Sequence, residues 1–196
     1  DESFIHFASR DTVDSSHEGA DGALPTLVGI TEQFENVTVI KSMSKDFGIA
    51  GIRAGYAIMN PSRVDRLLDH GYLWNISGID EYFFSLFNLS TFLYEYRDIL
   101  NTYLKHIERF ISMTSRINFL QAYPTDANFQ LIQMPSGVSS DLFTSLMLIR
   151  HGIYVRSCGD KIGLDGEFLR VAIRTEPENV EITDALSDVL GSIGNI

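Results

Sequence analysis

Apolar and polar positions along the 196-residue chain follow two periods, one typical of strands and one typical of helices. Short apolar or β-branched runs predict strands at DESFIHFA, VTVIKSM, GIRAGYAIMN, NFQLIQM, IYVRSC and FLRVAIRT. Apolar residues at helical spacing, bounded by cap and stop residues, predict helices at ALPTLVGITEQFEN, PSRVDRLLDHG, SSDLFTSLMLIRHG and EPENVEITDALSDVLGSIG. Residues 9–22 are polar and aperiodic, which predicts an exposed loop.

The stretch from Ile79 to about Asn118 contains neither proline nor glycine, and its apolar residues recur every three or four positions. This pattern predicts one long helix or two nearly continuous helices, with Trp74 packed at the hinge before it. The order strand, helix, strand, strand, helix after it predicts a small α+β domain. We therefore predict an α/β protein in which residues 1–90 belong to a larger domain and residues 91–196 form the long helix and a small C-terminal α+β domain.

Composition narrows the classes of function. Hydrophobic residues make up 44 % of the chain, enough to bury a core, and the net charge of −11 disfavours nucleic-acid binding. The single cysteine, Cys158, permits no internal disulfide and fits a reducing compartment. The most apolar segment, EYFFSLFNLSTFLYEY, is too short to span a membrane. We predict a cytoplasmic protein without membrane or nucleic-acid partners, and the five histidines show no metal-ligand spacing.

The segment KSMSKDFGIAGIRAGY carries most of the candidate chemistry. Lys45 follows the end of a predicted strand, where ligands bind in open α/β sheets, and Ser42 and Ser44 place hydroxyl groups on either side of it. Glycines allow a close backbone approach, and Arg53 is able to reach back toward the turn. An amine beside hydroxyls and a guanidinium forms an anion site that can also make a Schiff base with an aldehyde. The alternative is a solvated turn lysine beside a surface arginine.

This motif resembles that of the pyridoxal-phosphate-dependent aminotransferases of fold type I, class I/II. Within the family it is most similar to the branch that contains histidinol-phosphate aminotransferases and threonine-phosphate decarboxylases. The resemblance implies that Lys45 holds pyridoxal 5′-phosphate covalently, and that Ser42 and Arg53 bind the cofactor phosphate. Ser44 stands where this branch often has a small hydroxyl residue, and we include it among the cofactor-binding residues.

A second resemblance lies at the first residues, DESF, where the family carries Asp-Glu-Ala-Tyr. It implies that Asp1 pairs with the pyridine nitrogen, which lets the ring act as an electron sink. Phe4 departs from the family, because phenylalanine cannot donate a hydrogen bond to the phenolic oxygen of the cofactor. A terminal acid without a role is the alternative for Asp1.

Three arginines in the C-terminal part extend the resemblance. FLRVAIRT implies that Arg170 binds the substrate α-carboxylate in a forked geometry, and GIYVRSC implies that Arg156 contacts a phosphate on the substrate. Arg174 lies four residues after Arg170, so both point to one face of an extended strand. For Arg174 we weigh a second anion contact evenly against a surface ion pair.

The resemblance covers only the second half of the family, so we expect this chain to be a fragment that is inactive alone. For the intact protein it implies a homodimer that transfers an amino group between an amino acid and a 2-oxo acid. One alternative keeps the cofactor and decarboxylates an O-phosphoamino acid such as threonine phosphate. Another is a non-catalytic binding or regulatory protein, which the joint presence of Lys45, Arg53 and Arg170 disfavours.

Overall fold

A computed structural model of the chain describes residues 1–8, 26–71 and 75–193. The predicted loop at residues 9–22 and Trp74 lie outside the described residues. Internal contacts divide the chain into two compact units, Asp1–Asn101 and Thr102–Ile196. That division falls inside a long helix which begins at Ser90, beside the predicted domain boundary at residues 90 and 91. The domain boundary itself stays a prediction.

The sheet of the first unit is an antiparallel pair formed by β1 (Thr38–Ser42) and β2 (Gly55–Met59). Both strands were predicted, because their β-branched and apolar residues suit a pleated surface. Their register runs from Thr38 opposite Met59 to Ser42 opposite Gly55. A short 3₁₀ turn, Ala50–Ile52, precedes β2, so the strand starts later than the apolar pattern indicates.

Two predictions near the N-terminus are wrong. The alternating segment DESFIHFA contains a 3₁₀ helix at Ile5–Ala8, because Ile5 and Phe7 donate backbone hydrogen bonds three residues back. Phe7 is buried there, which satisfies the apolar signal without a strand. In the segment predicted to be a helix ending near residue 36, the described residues form only a 3₁₀ turn, Val28–Ile30. The side chain of Glu2 accepts the Leu27 amide at 2.7 Å, a tertiary contact that local propensity does not contain.

The next three helices along the chain follow the sequence signals. Helix α1 (Pro61–Asp69) begins with proline after the capping Asn60. Helix α2 (Gly78–Ser85) starts with a capping box, and a 3₁₀ turn then connects it to α3 (Ser90–Thr114). The predicted long helical stretch is thus two nearly continuous helices.

The apolar segment on α2 and α3 packs its aromatic rings around Phe47, which lies within the turn that carries Lys45. The Phe47 ring stacks on Tyr96 at 4.3 Å between centroids and meets Phe87 edge-to-face at 5.0 Å. This packing accounts for the high apolar content of the segment. Within the described part of the chain, no helix is both long and apolar enough to cross a membrane.

The second unit is an antiparallel four-stranded sheet with two further helices and the C-terminal part of α3. Its strands are ordered β3-β4-β6-β5. Their bounds are β3 Gln121–Ala122, β4 Phe129–Gln133, β5 Arg156–Ser157 and β6 Phe168–Ala172. Helices α4 (Ser140–His151) and α5 (Glu176–Ile193) contact each other. Strand β5 is shorter than predicted, and β3 was not predicted because two residues carry no periodic signal.

The core of the second unit lies between this sheet and its helices. Strand β6 buries Phe168, Leu169 and Val171, and one stripe of each helix is buried, as the helical period requires. Among the fully buried side chains are Ile132, Phe143, Met147, Leu169, Leu186 and Val189. Cys158 is a buried free thiol whose amide donates to the Phe168 carbonyl at 2.9 Å.

Candidate functional site

Lys45 lies on an exposed turn that directly follows β1. The Gly48 amide closes this turn by donating to the Lys45 carbonyl oxygen at 3.2 Å, and Gly48 has a φ of 66°, which favours glycine. Among the described residues, no carboxylate lies within ion-pair distance of the Lys45 amine. The amine is therefore accessible and positioned at the end of a strand, as the motif predicts.

Ser42 and Ser44 form a linked hydroxyl pair beside this turn. The Ser42 hydroxyl donates to the Ser44 hydroxyl at 2.8 Å, and the Ser44 amide donates to the Ser42 hydroxyl at 3.2 Å. The Met43 amide between them donates to the Ala54 carbonyl at 3.1 Å, which continues the β1–β2 pairing. Because Arg53 precedes Ala54, the pairing brings this arginine to the same end of the hairpin as the two serines.

Arg53 adopts a backbone conformation that is uncommon for residues other than glycine. Its φ of 59° and ψ of 32° place it in the left-handed region, which costs about 1–2 kcal/mol for an L-residue. The guanidinium donates one hydrogen bond, to the Ala50 carbonyl at 3.0 Å, and remains exposed. The neighbouring Gly55 is required sterically, because a Cβ there would lie 2.7 Å from the Lys41 carbonyl oxygen. A strained, exposed cation at a hairpin end is a feature that clusters at functional sites.

Asp1 is linked to this hairpin through Ser3. The Ser3 amide and hydroxyl both donate to Asp1 Oδ1, at 2.9 Å and 2.5 Å, and the Ser42 amide donates to the Ser3 hydroxyl oxygen at 2.9 Å. One buried serine thus holds the carboxylate that we predicted as the ring partner and contacts a predicted phosphate ligand. Ser3 was missed because one serine near the N-terminus carries no pattern, although it stands where the family motif has alanine.

A buried charged cluster is built around Asp46, the residue that follows Lys45 in this turn. Lys41 Nζ lies 2.5 Å from Asp46 Oδ2, and the two side chains are 5 % and 0 % exposed. His6 Nδ1 lies 3.0 Å from the same carboxylate oxygen and 2.6 Å from Tyr96 Oη. Burial acts to raise the pKa of Asp46, but hydrogen bonds and charge from His6 and Lys41 outweigh it, so that pKa lies below its usual value. Burial, assisted by the Asp46 charge, raises the pKa of Tyr96.

Sequence reasoning missed this cluster, although one signal for it exists. Residues that share the inward face of a strand are two apart, and Val39 and Lys41 are both buried on β1. A lysine at an inward position requires a buried anion, and Asp46 is the nearest carboxylate that follows it in the sequence.

In the second unit, two of the predicted substrate arginines are direct neighbours. Arg156 on β5 is paired with Arg170 on β6, so their side chains emerge side by side on one face. The Arg170 guanidinium carbon lies 3.9 Å from the centroid of the Phe129 ring, a cation–π contact that orients its plane. Arg156 forms an exposed ion pair with Asp160 at 3.1 Å.

Arg174 lies beyond the end of β6 and contacts a carboxylate. Its Nη2 and Nε atoms donate to Glu178 Oε1 at 2.9 Å and 3.3 Å. Hydrogen bonds from Thr175 and Arg174 lower the pKa of Glu178 to about 2. This geometry favours the ion-pair alternative for Arg174, and its role toward substrate stays a prediction. Asp1, Ser42, Ser44, Lys45 and Arg53 belong to one unit, and the three arginines to the other.

Comparison with known proteins defines the family. The chain belongs to the aminotransferase class I and II family, whose model matches residues 1–186. The most similar relatives include the L-serine phosphate decarboxylase of Campylobacter jejuni, 44 % identical over 96 % of this chain and 46 % of that protein. The histidinol-phosphate aminotransferase of Methanococcus aeolicus is 31 % identical over 81 % of the chain and 42 % of that protein. The chain thus spans about half the length of these curated relatives.

Solved structures give the same grouping. A decarboxylase from Sulfurospirillum multivorans matches with a TM-score of 0.84 and 41 % identity, over 96 % of this chain and 51 % of that one. The histidinol-phosphate aminotransferase from Clostridium acetobutylicum matches with a TM-score of 0.74 and 28 % identity, over 85 % of this chain and 49 % of that one. The predicted family and fold class are confirmed.

The residues of the first unit fit pyridoxal 5′-phosphate, the cofactor of this family. The fit rests on the chemistry of the donors: an accessible amine at Lys45, linked hydroxyls at Ser42 and Ser44, an exposed guanidinium at Arg53 and a held carboxylate at Asp1. The amine suits an aldehyde, the hydroxyls and the guanidinium suit a phosphate, and the carboxylate suits a protonated pyridine nitrogen. The cofactor prediction is confirmed for the family, and the individual residue roles stay predictions.

Proposed function

We propose that the intact protein is a pyridoxal-phosphate-dependent decarboxylase of an O-phosphoamino acid, with L-serine phosphate as its substrate. The observation that carries this proposal is the 44 % identity, over 96 % of the chain, to an L-serine phosphate decarboxylase. A second such decarboxylase, from Sulfurospirillum multivorans, is 43 % identical over 97 % of the chain. The relatives named histidinol-phosphate aminotransferase are more distant, at 30–31 % identity. The proposal therefore follows the decarboxylase alternative rather than our first prediction of an aminotransferase.

The arginine pair of the second unit suits a substrate with two anionic groups. L-serine phosphate carries a carboxylate and a phosphate within a few bonds, and guanidinium groups bind both with paired hydrogen bonds. We assign the carboxylate to Arg170, whose plane Phe129 orients, and the phosphate to Arg156. Binding phosphate there would exchange the exposed Asp160 contact of Arg156, which costs little because exposed ion pairs contribute little.

The reaction breaks the bond between Cα and the carboxylate carbon, releases CO₂, and places a proton on Cα to leave phosphorylated ethanolamine. When bound, the cofactor supplies an electron-withdrawing ring for the electron pair left by CO₂. In the proposed roles, Lys45 holds the cofactor and delivers the proton to Cα, whereas Asp1 keeps the pyridine nitrogen protonated. Ser42, Ser44 and Arg53 bind the cofactor phosphate. We also propose that the intact protein is a homodimer, which light scattering after gel filtration tests.

The test is a product analysis with the full-length protein, pyridoxal phosphate and L-serine phosphate. We expect one CO₂ per substrate consumed and one new phosphomonoester in the ³¹P NMR spectrum. L-threonine phosphate serves as a matched substrate that differs by one methyl group. L-serine tests the requirement for phosphate, and we expect it to react far more slowly. Substrate consumption without CO₂ release would overturn the proposal.

The second candidate is the aminotransferase activity that we predicted from the motif. The family model and the relatives named histidinol-phosphate aminotransferase favour it. The same protein is incubated with histidinol phosphate and 2-oxoglutarate, and glutamate is measured. Glutamate formation without CO₂ release from L-serine phosphate would establish this candidate in place of the decarboxylase.

A further inference from the structure

Asp46 directly follows Lys45, and the two side chains have opposite environments. The Lys45 side chain is exposed, whereas the Asp46 carboxylate is fully buried against Lys41 and His6. Asp46 Oδ1 is buried and accepts no hydrogen bond from the described residues. A buried carboxylate with one oxygen unsatisfied costs free energy, and this one lies one residue from the candidate catalytic lysine.

Lys41 joins two segments of the chain that are distant in sequence. Its Nζ donates to Asp46 Oδ2 at 2.5 Å and to the Glu2 carbonyl oxygen at 3.2 Å. Glu2 follows Asp1, and Asp46 follows Lys45. One ammonium group therefore holds the backbone next to the predicted ring partner and the side chain next to the predicted cofactor lysine.

His6 adds a second connection between the same segments. It lies on the 3₁₀ helix Ile5–Ala8, which follows Asp1, and its ring contacts both the Asp46 carboxylate and Tyr96. The Glu2 amide also donates to the Ile40 carbonyl at 2.8 Å. The N-terminal segment is thus joined to β1 by the Lys41 hydrogen bond to the Glu2 carbonyl and by the backbone bond to Ile40, and to the turn by the contact between His6 and Asp46.

We propose that Lys41 and Asp46 are positioning residues, which fix the Asp1 segment relative to Lys45 and set the charge beneath the Lys45 turn. The proposal rests on the roles assigned to Asp1 and Lys45 under the proposed function. Pyridoxal phosphate is rigid, so the two groups that hold its nitrogen and its aldehyde carbon must keep a fixed separation. A buried, directional ion pair provides such a restraint more rigidly than exposed contacts do.

The paired charges also make an electrostatic prediction. Lys41 and Asp46 together are neutral. Loss of the Asp46 charge leaves the buried Lys41 cation without a carboxylate partner, and loss of the Lys41 charge leaves the buried Asp46 carboxylate with His6 as its remaining charged contact among the described residues. Removing the Asp46 charge leaves a cation, which favours the uncharged and reactive form of the Lys45 amine. Removing the Lys41 charge leaves an anion, which favours the charged and unreactive form. The other titratable or charged groups around Asp46 are His6, Tyr96, Tyr56 and Glu2.

The experiment uses the cofactor-free full-length protein and measures acetylation of Lys45 by limiting acetic anhydride at pH 8, with mass spectrometry. Exposed Lys105 provides an internal reference. We expect Asp46→Asn to accelerate labelling and Lys41→Met to slow it, each by about three- to tenfold at an effective dielectric between protein and water. The double variant should return to within about twofold of wild type, because it is neutral again. Lys41→Arg, which keeps the charge, should behave as wild type.

Equal changes of the Lys45 acetylation rate in both single variants, or no change in either, would overturn the electrostatic part. A purely structural role would change both rates in the same direction. Should a single variant fail to fold, the neutral double variant remains informative. In it, the Glu2 and Ser42 amides should exchange hydrogen faster than in wild type, since their segment has lost the Lys41 restraint. Unchanged exchange there would overturn the positioning role. Neither readout involves a substrate, so failure of the proposed decarboxylase activity leaves this test unaffected.

Discussion

Arg156 and Arg170 occupy directly opposed positions on β5 and β6, with their side chains on one face of the sheet. Like charges in this arrangement destabilise an antiparallel pair unless an anion neutralises them. Asp160 neutralises Arg156 from the exposed side, and the Phe129 ring lies beneath Arg170. In the proposed function, the two anionic groups of the substrate would complete this neutralisation.

The Arg156 assignment predicts a specific kinetic change. Arg156→Ala in the full-length protein should lower kcat/KM for L-serine phosphate by about 10- to 100-fold, because a hydrogen bond between charged groups contributes about 1.5–3 kcal/mol. The loss should appear mainly in KM, since the phosphate takes no part in bond breaking. Arg150→Ala, at an exposed helical arginine bonded to Ser192, is the matched control and should leave kinetics unchanged. An unaltered KM in Arg156→Ala would exclude phosphate binding by this residue.

The unusual backbone of Arg53 predicts that replacing this residue weakens cofactor binding while leaving the free energy of unfolding nearly unchanged. Asparagine tolerates the left-handed region, so Arg53→Asn should change the free energy of unfolding of the cofactor-free protein by no more than about 0.5 kcal/mol. Loss of the guanidinium should weaken pyridoxal phosphate binding by about tenfold or more. Urea unfolding and a fluorescence titration with the cofactor measure the two quantities. A variant that binds the cofactor normally would remove Arg53 from the phosphate site.

Two adjacent residues on α4 predict very different losses of stability when each is replaced by alanine. Phe143 is 0 % exposed in the core of the second unit, whereas Leu142 beside it is 55 % exposed. Phe143→Ala should lower the free energy of unfolding by about 3–5 kcal/mol, through lost burial and a cavity. Leu142→Ala should change it by less than about 0.5 kcal/mol. Urea titrations of both variants provide the comparison, and similar midpoints would mean that α4 is packed on a different face.

Glu178 predicts a stability difference that depends on pH. Its pKa is about 2 in the folded chain, lowered by Thr175 and Arg174 from an ordinary value of 4.5. A carboxyl whose pKa is lower in the folded state than in the unfolded state stabilises the fold fully above the unfolded-state pKa. This contribution disappears as the pH falls toward the folded-state pKa. The urea midpoint of Glu178→Gln should therefore lie below that of wild type at pH 6–7, and the gap should shrink below pH 4.5. Glu181→Gln is the control on the same helix, and an equal gap at every pH would contradict the assignment.

Some elements could be predicted because their signals are local. Helix α4 begins after Ser139, whose side chain accepts the Leu142 amide, and ends at Gly152 with a φ of 67°. Both residues are cap types that sequence reveals. The lysine motif likewise predicted that Lys45, the serine pair and Arg53 lie together, since the motif lies in one hairpin; the roles of these residues stay predictions.

Other features depend on contacts between distant residues. The N-terminal segment alternates like a strand, but its bonds to Ile40 and Lys41 hold it as a 3₁₀ helix, and no local pattern contains them. The Lys41–Asp46 pair was not predicted from the sequence for a related reason. Its significance lies in burial, and burial of a charged residue follows from tertiary packing rather than from residue type. Neither Ser3 nor His6 has a sequence signal that indicates its contacts.

The buried thiol of Cys158 has a practical consequence. It is the one cysteine in the sequence of this chain and is 5 % exposed, on a segment bonded to β6. A thiol reagent can reach it only when the C-terminal unit opens locally or globally. The rate of its modification therefore measures the opening of that unit directly. Cys158 is therefore a native probe of conformational opening that needs no engineered label.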